Sequence, residues 1–129
     1  FCDLNTFLRK PLIFKGLNKI GKNGNIVEGK KFIIPGQIPV KFMIKLDDYI
    51  KEQDKISKDE IKINDEDMSK KIKEMVLDII NLDHQHKYTM KDVEENFDDL
   101  IVLNKIVEQF INYAYMVKSD PNSNSPISK

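Results

Sequence analysis

Residues 28–39 read Glu28-Gly29-Lys30-Lys31-Phe32-Ile33-Ile34-Pro35-Gly36-Gln37-Ile38-Pro39, and an amphipathic run opens at Val40. This stretch decides the fold class. Lys31–Ile34 is short, apolar and β-branched, the composition of a strand. Pro35-Gly36 sets a fixed φ ahead of a permissive residue, which suits a turn. Pro39 cannot continue a strand ladder but fits the first turn of a helix. A short returning strand is therefore handed directly to a helix.

Upstream, Lys10–Lys15 supplies the strand that precedes it, with Pro11 at its start. Gly16–Gly29 between them is rich in turn signals, and Asn25-Ile26-Val27 extends the hairpin. Leu12–Phe14 is expected to pair with Phe32–Ile34. A lone hairpin is marginal in water, so it needs helices to pack on. Phe1, Leu4, Phe7 and Leu8 have near-helical spacing, giving a short helix or arm over Phe1–Arg9.

Downstream, the apolar periodicity predicts three main helices. The first covers 40–53, with Val40, Met43, Leu46 and Ile50 on one face. A charged connection follows, in which Ser57-Lys58-Asp59-Glu60 reads as a capping box for a short turn. The second covers 65–82, with Met68, Ile72, Met75, Val76 and Ile79 as its stripe and Asp65, Glu66 and Asp67 at its positive end. The third covers 90–118, opened by the cap signature Thr89–Asp92, with a break near Asn96 left open. The expected fold is mostly α with a small N-terminal β-hairpin at about 10–34, an α+β architecture with the helices packed on the hairpin. It forms one domain over 1–118, followed by a disordered polar tail over 119–129.

The net charge of the 129-residue chain is zero, which hides a division. Residues 1–45 hold nine Lys/Arg against Asp3 and Glu28, a net of +7; the remainder holds twelve Lys against nineteen Asp/Glu, a net of −7. Either the two parts attract each other in the fold, or the basic part is a docking face for an acidic partner. A single Arg and no basic stripe interleaved with aromatics argue against nucleic acid. Cys2 is alone, so no internal disulfide forms, which suits a reducing compartment. No apolar run approaches the ~18 residues of a membrane span, and the start at Phe1 shows no charged signal-peptide region.

Candidate chemistry is sparse. His84 and His86 flank Gln85, but a zinc site usually takes three or four protein ligands, so a solvated loop without metal is expected. Gly21, Gly24 and Gly29 lack the phosphate-loop spacing and read as hairpin turns. The acidic pairs Asp47-Asp48, Glu94-Glu95 and Asp98-Asp99 diverge on a helix and read as solvated. No catalytic constellation and no cofactor motif remain, and a non-enzymatic protein is expected.

The last helix stands out. Leu100, Leu103, Val107, Phe110, Ala114 and Val117 form a seam, flanked by Ile101, Ile111 and Tyr115 on one side and Val102, Ile106 and Tyr113 on the other. Asn104, Lys105, Glu108, Gln109 and Asn112 make a narrow polar strip. Such a helix is either central in its own core or covered by another chain. Leu103, Val107 and Phe110 are expected in the core. Ile106, Ile111, Tyr113 and Tyr115 are expected to be less buried and to meet another copy or a client helix.

Phe7-Leu8, the strand Leu12–Phe14, the run Gly29–Pro39 and the acidic, Ile/Leu-rich helices after it resemble the small tail assembly chaperones of tailed bacteriophages and prophages of low-GC bacteria. The resemblance spans about 4–117. It implies a mostly helical, non-enzymatic protein of the host bacterial cytoplasm. Its implied partners are the tape measure protein, the tail tube protein or further copies of itself. Two other readings stay open: a structural virion protein of the connector, tail or baseplate, and a helical regulatory protein.

Overall fold

A computed structural model describes residues 1–116. The tail expected from Ser119 and the last residues of the helix predicted to reach 118 lie outside the described residues. The architecture is α+β. A 3-10 turn, Leu4–Phe7, precedes β1 (Leu12–Lys15), β2 (Lys19–Ile20), β3 (Ile26–Val27) and β4 (Lys31–Ile34). Four helices follow: α1 (Val40–Ser57), α2 (Asp65–Ile80), α3 (Met90–Phe97) and α4 (Leu100–Ala114).

β1 pairs antiparallel with β4 in the register Leu12↔Ile34 and Phe14↔Phe32, the pairing that the sequence predicts. Alternation then divides the faces. Phe32 and Ile34 are buried and Leu12 and Phe14 half-buried, while Ile13, Lys15, Lys31 and Ile33 point outward. Ile26–Val27 does not lengthen this ladder. It pairs with Lys19–Ile20 in a separate two-stranded sheet whose residues are all exposed.

The hairpin docks through aromatic rings. Phe32 packs against Phe97 at 4.8 Å and Tyr88 at 5.0 Å between centroids. The central helix is α2, which contacts β4, α3 and α4. Asn64 caps it by accepting from the Asp67 N–H at 2.8 Å, and Ile72, Met75, Val76 and Ile79 are buried as the stripe requires. Met68, near its start, is only half-buried.

Three expectations need correction. First, α1 runs to Ser57, not to 53. Ion pairs one turn apart, Lys51–Asp47 at 2.9 Å in its middle and Lys58–Asp54 at 3.0 Å at its end, run along it. It closes in a Schellman arrangement: Glu60 N–H donates to Lys55 O and Asp59 N–H to Ile56 O, with Asp59 left-handed at φ 58°. Ser57 is thus the end of α1, its hydroxyl donating to Asp54 O at 2.9 Å, and it opens no capping box. Second, the buried face of α1 keeps Met43, Leu46 and Ile50 as expected but also takes in Phe42 and Tyr49, and Val40 lies outside it. Leu46 is fully buried and Phe42 meets Phe110 edge-on at 5.6 Å, while Val40 is 77% exposed.

Third, the predicted helix 90–118 is two helices. α3 starts at Thr89 with the reciprocal capping box to Asp92 and ends at Phe97. Asp98, at φ −73° and ψ 68°, makes an inverse γ-turn in which the Asp99 N–H donates to Phe97 O at 2.6 Å. Asp99 then caps α4, accepting from the Ile101 and Val102 N–H groups at 2.9 and 3.1 Å. The pair Asp98-Asp99, read as solvated helix surface, is the joint itself.

Candidate interaction surface

The four residues expected to face a partner fall in different places. Ile106 is only 5% exposed and belongs to the core with Leu103, Val107 and Phe110. It is not a flanking surface residue, because the turn at Asp98 sets α4 back across α2, with which it makes extensive contact. Ile111 and Tyr113 are half-buried against the same core. The Tyr113 hydroxyl donates to Lys10 O at 2.5 Å, with Pro35 O at 3.4 Å. Burial, partly offset by the nearby Arg9 charge, raises its pKa. Its polar tip is engaged inside the fold. Tyr115 is exposed and forms the cap of α4. Ile106→Ala should therefore lower stability by about 2–4 kcal/mol, as for a buried aliphatic truncation. Denaturation and light scattering on the same sample check this: stability falls while the mass of the particle does not change.

Asn112, placed in the polar strip by the sequence, is 4% exposed, and neither amide atom has a hydrogen-bond partner.

The largest contributions to the exposed apolar surface come instead from the N-terminal third. Leu4 is 73% and Phe7 68% exposed. Val40 and Ile44, one turn apart on α1, are 77% and 60% exposed, with Lys41 between them and Lys45 beside them. The arm and the start of α1 are tied together at Arg9 and Gly36. Arg9 Nη1 donates to Gly36 O at 3.1 Å, and a Cβ on Gly36 would lie 1.9 Å from Arg9 O. A second surface is the outer face of β1–β4. There Ile13 is opposite Ile33, and Lys15 is opposite Lys31.

Contact ion pairs between the basic and acidic parts are few among the described residues. Among the described residues, one ion pair, Lys45–Asp78 at 2.5 Å, joins residues 1–45 to the rest. The Lys15–Glu28 pair at 3.5 Å lies wholly within the basic part, and the remaining pairs lie wholly within the acidic part.

The histidine loop packs beside the hairpin. Asp83, His84, Gln85 and His86 line a shallow depression with Pro11, Ile33 and Pro35. His86 Nδ1 is 2.8 Å from Asp83 Oδ2, and its ring stacks on Tyr88 at 5.6 Å. Among the described residues no three His, Cys, Asp or Glu side chains converge as metal ligands. The Gln85 N–H, at 2.9 Å, and then His86 hold the Asp83 carboxyl below its ordinary pKa.

Two results follow for this loop. His84→Ala with His86→Ala should leave stability within about 0.5 kcal/mol of the parent, as for ordinary surface substitutions. A carboxyl held low in the fold contributes stability above the ordinary Asp range, about pH 3.9. That contribution is lost as pH falls through the lowered value. Asp83→Asn keeps an oxygen for Gln85 but removes the titration. Denaturation across an acid pH series should show a shallower loss of stability in the variant, and parallel curves would refute the assignment.

No helix among the described residues is long and apolar enough to cross a membrane. Compared with protein-family models, curated proteins and solved structures, the chain shows no match.

Proposed function

We propose that this protein is a non-enzymatic assembly chaperone of phage tails, acting in the cytoplasm of the host bacterium. It holds a helical client, the tape measure protein, with the tail tube protein as the second candidate client. The observation that carries the reading is the exposed apolar ridge Val40 and Ile44, bordered by Lys41 and Lys45, with Leu4 and Phe7 also exposed on the N-terminal arm. Apolar side chains left in water by the isolated chain suit a surface that another protein covers. Val40 and Ile44 form a ridge one turn long, the spacing by which an amphipathic helix meets another. The resemblance of the N-terminal strand and turn to tail assembly chaperones supplies the biological setting.

The test is co-expression with the tape measure and tail tube proteins from the same gene neighbourhood, followed by affinity capture. The parent retains a client; Val40→Asp with Ile44→Asp loses it while its melting temperature stays near the parent value. Purified particles analysed by mass spectrometry should lack the protein. Stoichiometric presence in the particle, or capture of neither client, would reject the chaperone reading.

A further inference from the structure

We propose that β4 is a strand-addition site. Its open edge takes an extended, acidic segment of another protein as a third strand of the β1–β4 sheet. This edge is a different surface from the Val40–Ile44 ridge. It binds an extended backbone and not a helix, so it does not rest on the chaperone reading.

The sheet has two strands, so each is an edge. The phase of the hydrogen bonds decides which backbone groups are free. Gly16 N–H donates to Lys30 O at 2.7 Å, and Pro11 and Pro35, next along the register at the other end, have no N–H to give. Bonds in an antiparallel ladder fall on alternate pairs. The bonded pairs are therefore Leu12 with Ile34 and Phe14 with Phe32. Lys31 and Ile33 fall between them, and each turns its N–H and its C=O away from β1. Among the described residues no loop or helix backbone hydrogen-bonds to either. On the β1 side, the N–H at the next outward position after Lys15 is that of Leu17, and Asn96 O at the end of α3 already holds it at 2.8 Å. The free edge is thus that of β4. Pro35 closes it at one end. At the other, the Gly29 N–H donates to the Asn18 side chain at 3.0 Å.

A row of unpaired N–H and C=O groups is complementary to another extended backbone. The side chains choose its sequence. Ile33 and Lys31 lie on the outer face, with Ile13 and Lys15 directly opposite, and Ile33 is 51% exposed. Like charges directly opposite each other destabilise a sheet. Lys15 has a counter-charge in Glu28 at 3.5 Å, whereas Lys31 takes part in no ion pair among the described residues. A lysine on an edge opposes pairing with neutral strands, and it favours one that brings a carboxylate. The Asp83 carboxyl stands at the other end, in the depression that Ile33 and Pro35 share with His84 and His86. The incoming strand therefore carries its acid beside Lys31 and, two positions away on the same face, an apolar residue beside Ile33. A third strand also brings the hairpin to the size at which a sheet is stable in its own right.

The probe is a fluorescein-labelled peptide, Val-Thr-Glu-Thr-Val-Thr-Glu-Thr, whose Val and Glu side chains share one face of a strand. Its counterpart has Lys in place of Glu. Anisotropy against the purified full chain reads the affinity, and amide exchange reads the place. The parent should bind the Glu peptide at least about tenfold more tightly than the Lys peptide, with the difference shrinking as salt rises. The bound peptide should protect the Lys31 and Ile33 amides. Ile33→Pro removes an N–H that only the added strand uses, and proline is tolerated at such edge positions. It should weaken binding at least about tenfold, whereas Ile33→Val stays near the parent. Lys31→Glu keeps every backbone group and should reverse the preference between the two peptides. Circular dichroism and melting show which variants fold; if Ile33→Pro does not, Lys31→Glu and the amide protection still decide. No binding by the parent, equal affinity for the two peptides, or an Ile33→Pro chain that binds like the parent overturns the proposal. Protection of the same amides by phosphatidylglycerol vesicles without peptide binding would give the edge to a membrane and overturn it. So would a mass that doubles with concentration and excludes the peptide, which gives the edge to a second copy. Client capture by co-expression is read separately, so failure here leaves the chaperone reading intact.

Discussion

Replacing Phe32 by Ala should cost about 3–5 kcal/mol, the range for a large aromatic truncated in a core. Phe32 is 1% exposed and its ring lies against both Phe97 and Tyr88. Those two contacts join β4 to the end of α3 and to the loop before it. Aromatic pairs contribute about 0.5–1.5 kcal/mol beyond the apolar area they bury. The Lys30 ammonium, 5.7 Å from the Phe32 ring and 5.1 Å from the Tyr88 ring, covers the cluster from the solvent side. A two-stranded hairpin is marginal alone, so losing its anchor should release the strands before the helices. Amide exchange in β1 and β4 should accelerate well before exchange in α2. Phe32→Leu, nearer in volume, should recover most of the loss. A loss below about 1 kcal/mol for Phe32→Ala would mean that the hairpin is held from elsewhere.

The sequence made the hairpin legible because two short, apolar, β-branched runs are bounded by proline and glycine turn signals. Leu12, Phe14, Phe32 and Ile34 all point inward, and a one-residue slip would turn each of them to solvent. The stripe of α2 was legible for the same kind of reason, since the helix is covered along one side and its apolar residues recur at helical spacing. α4 was misread in two ways. The break left open near Asn96 falls at Asp98, but the cap itself is hidden because Asp98-Asp99 resembles any exposed acidic pair. The available signal was an Asp immediately before the apolar run at Leu100, which is a cap position. The width of its apolar surface suggests an external partner for Ile106, whereas the core against α2 buries that residue within the chain. Periodicity reports how much of a helix is apolar, not which neighbour covers it. On α1 the expected stripe holds at Met43, Leu46 and Ile50, but Phe42 and Tyr49 widen it and Val40 falls outside. The edge-on contact of Phe42 with Phe110 on α4, which draws the face to that side, exists only in three dimensions. The charge division was visible from composition, but whether it is neutralised in the fold needed the ion pairs themselves.

The residue that the sequence reading passed over is Arg9, and replacing it should have the other large effect. It is the single Arg among twenty-one basic residues. Its Nε–H lies 3.1 Å from Tyr113 O and 3.0 Å from Ala114 O, and Nη2 donates to Ala114 O at 2.6 Å. Those carbonyls end α4, where a helix leaves its last acceptors without partners and carries partial negative charge. The remaining arm of the fork, Nη1, reaches Gly36 O. A planar group with fixed donor directions is needed to serve a helix end and a loop at once, and the point charge of Lys does not supply it. That is a physical reason for one Arg in a chain that otherwise uses Lys. Hydrogen bonds from a charged donor contribute about 1.5–3 kcal/mol, so Arg9→Met should cost about 2–3 kcal/mol, and Arg9→Lys should restore less than half. Gly36→Ala acts on the same joint from the other side. Its new Cβ, 1.9 Å from Arg9 O, meets backbone that must move. The two changes therefore damage one contact, and the double variant should lose less than the sum of the single losses. Denaturation of the four proteins in the cycle gives the coupling, and amide exchange over the last turn of α4 shows where stability is lost. If Arg9→Lys matched the parent in both measurements, the fork would be dispensable and the N-terminal arm would not be what holds the end of α4.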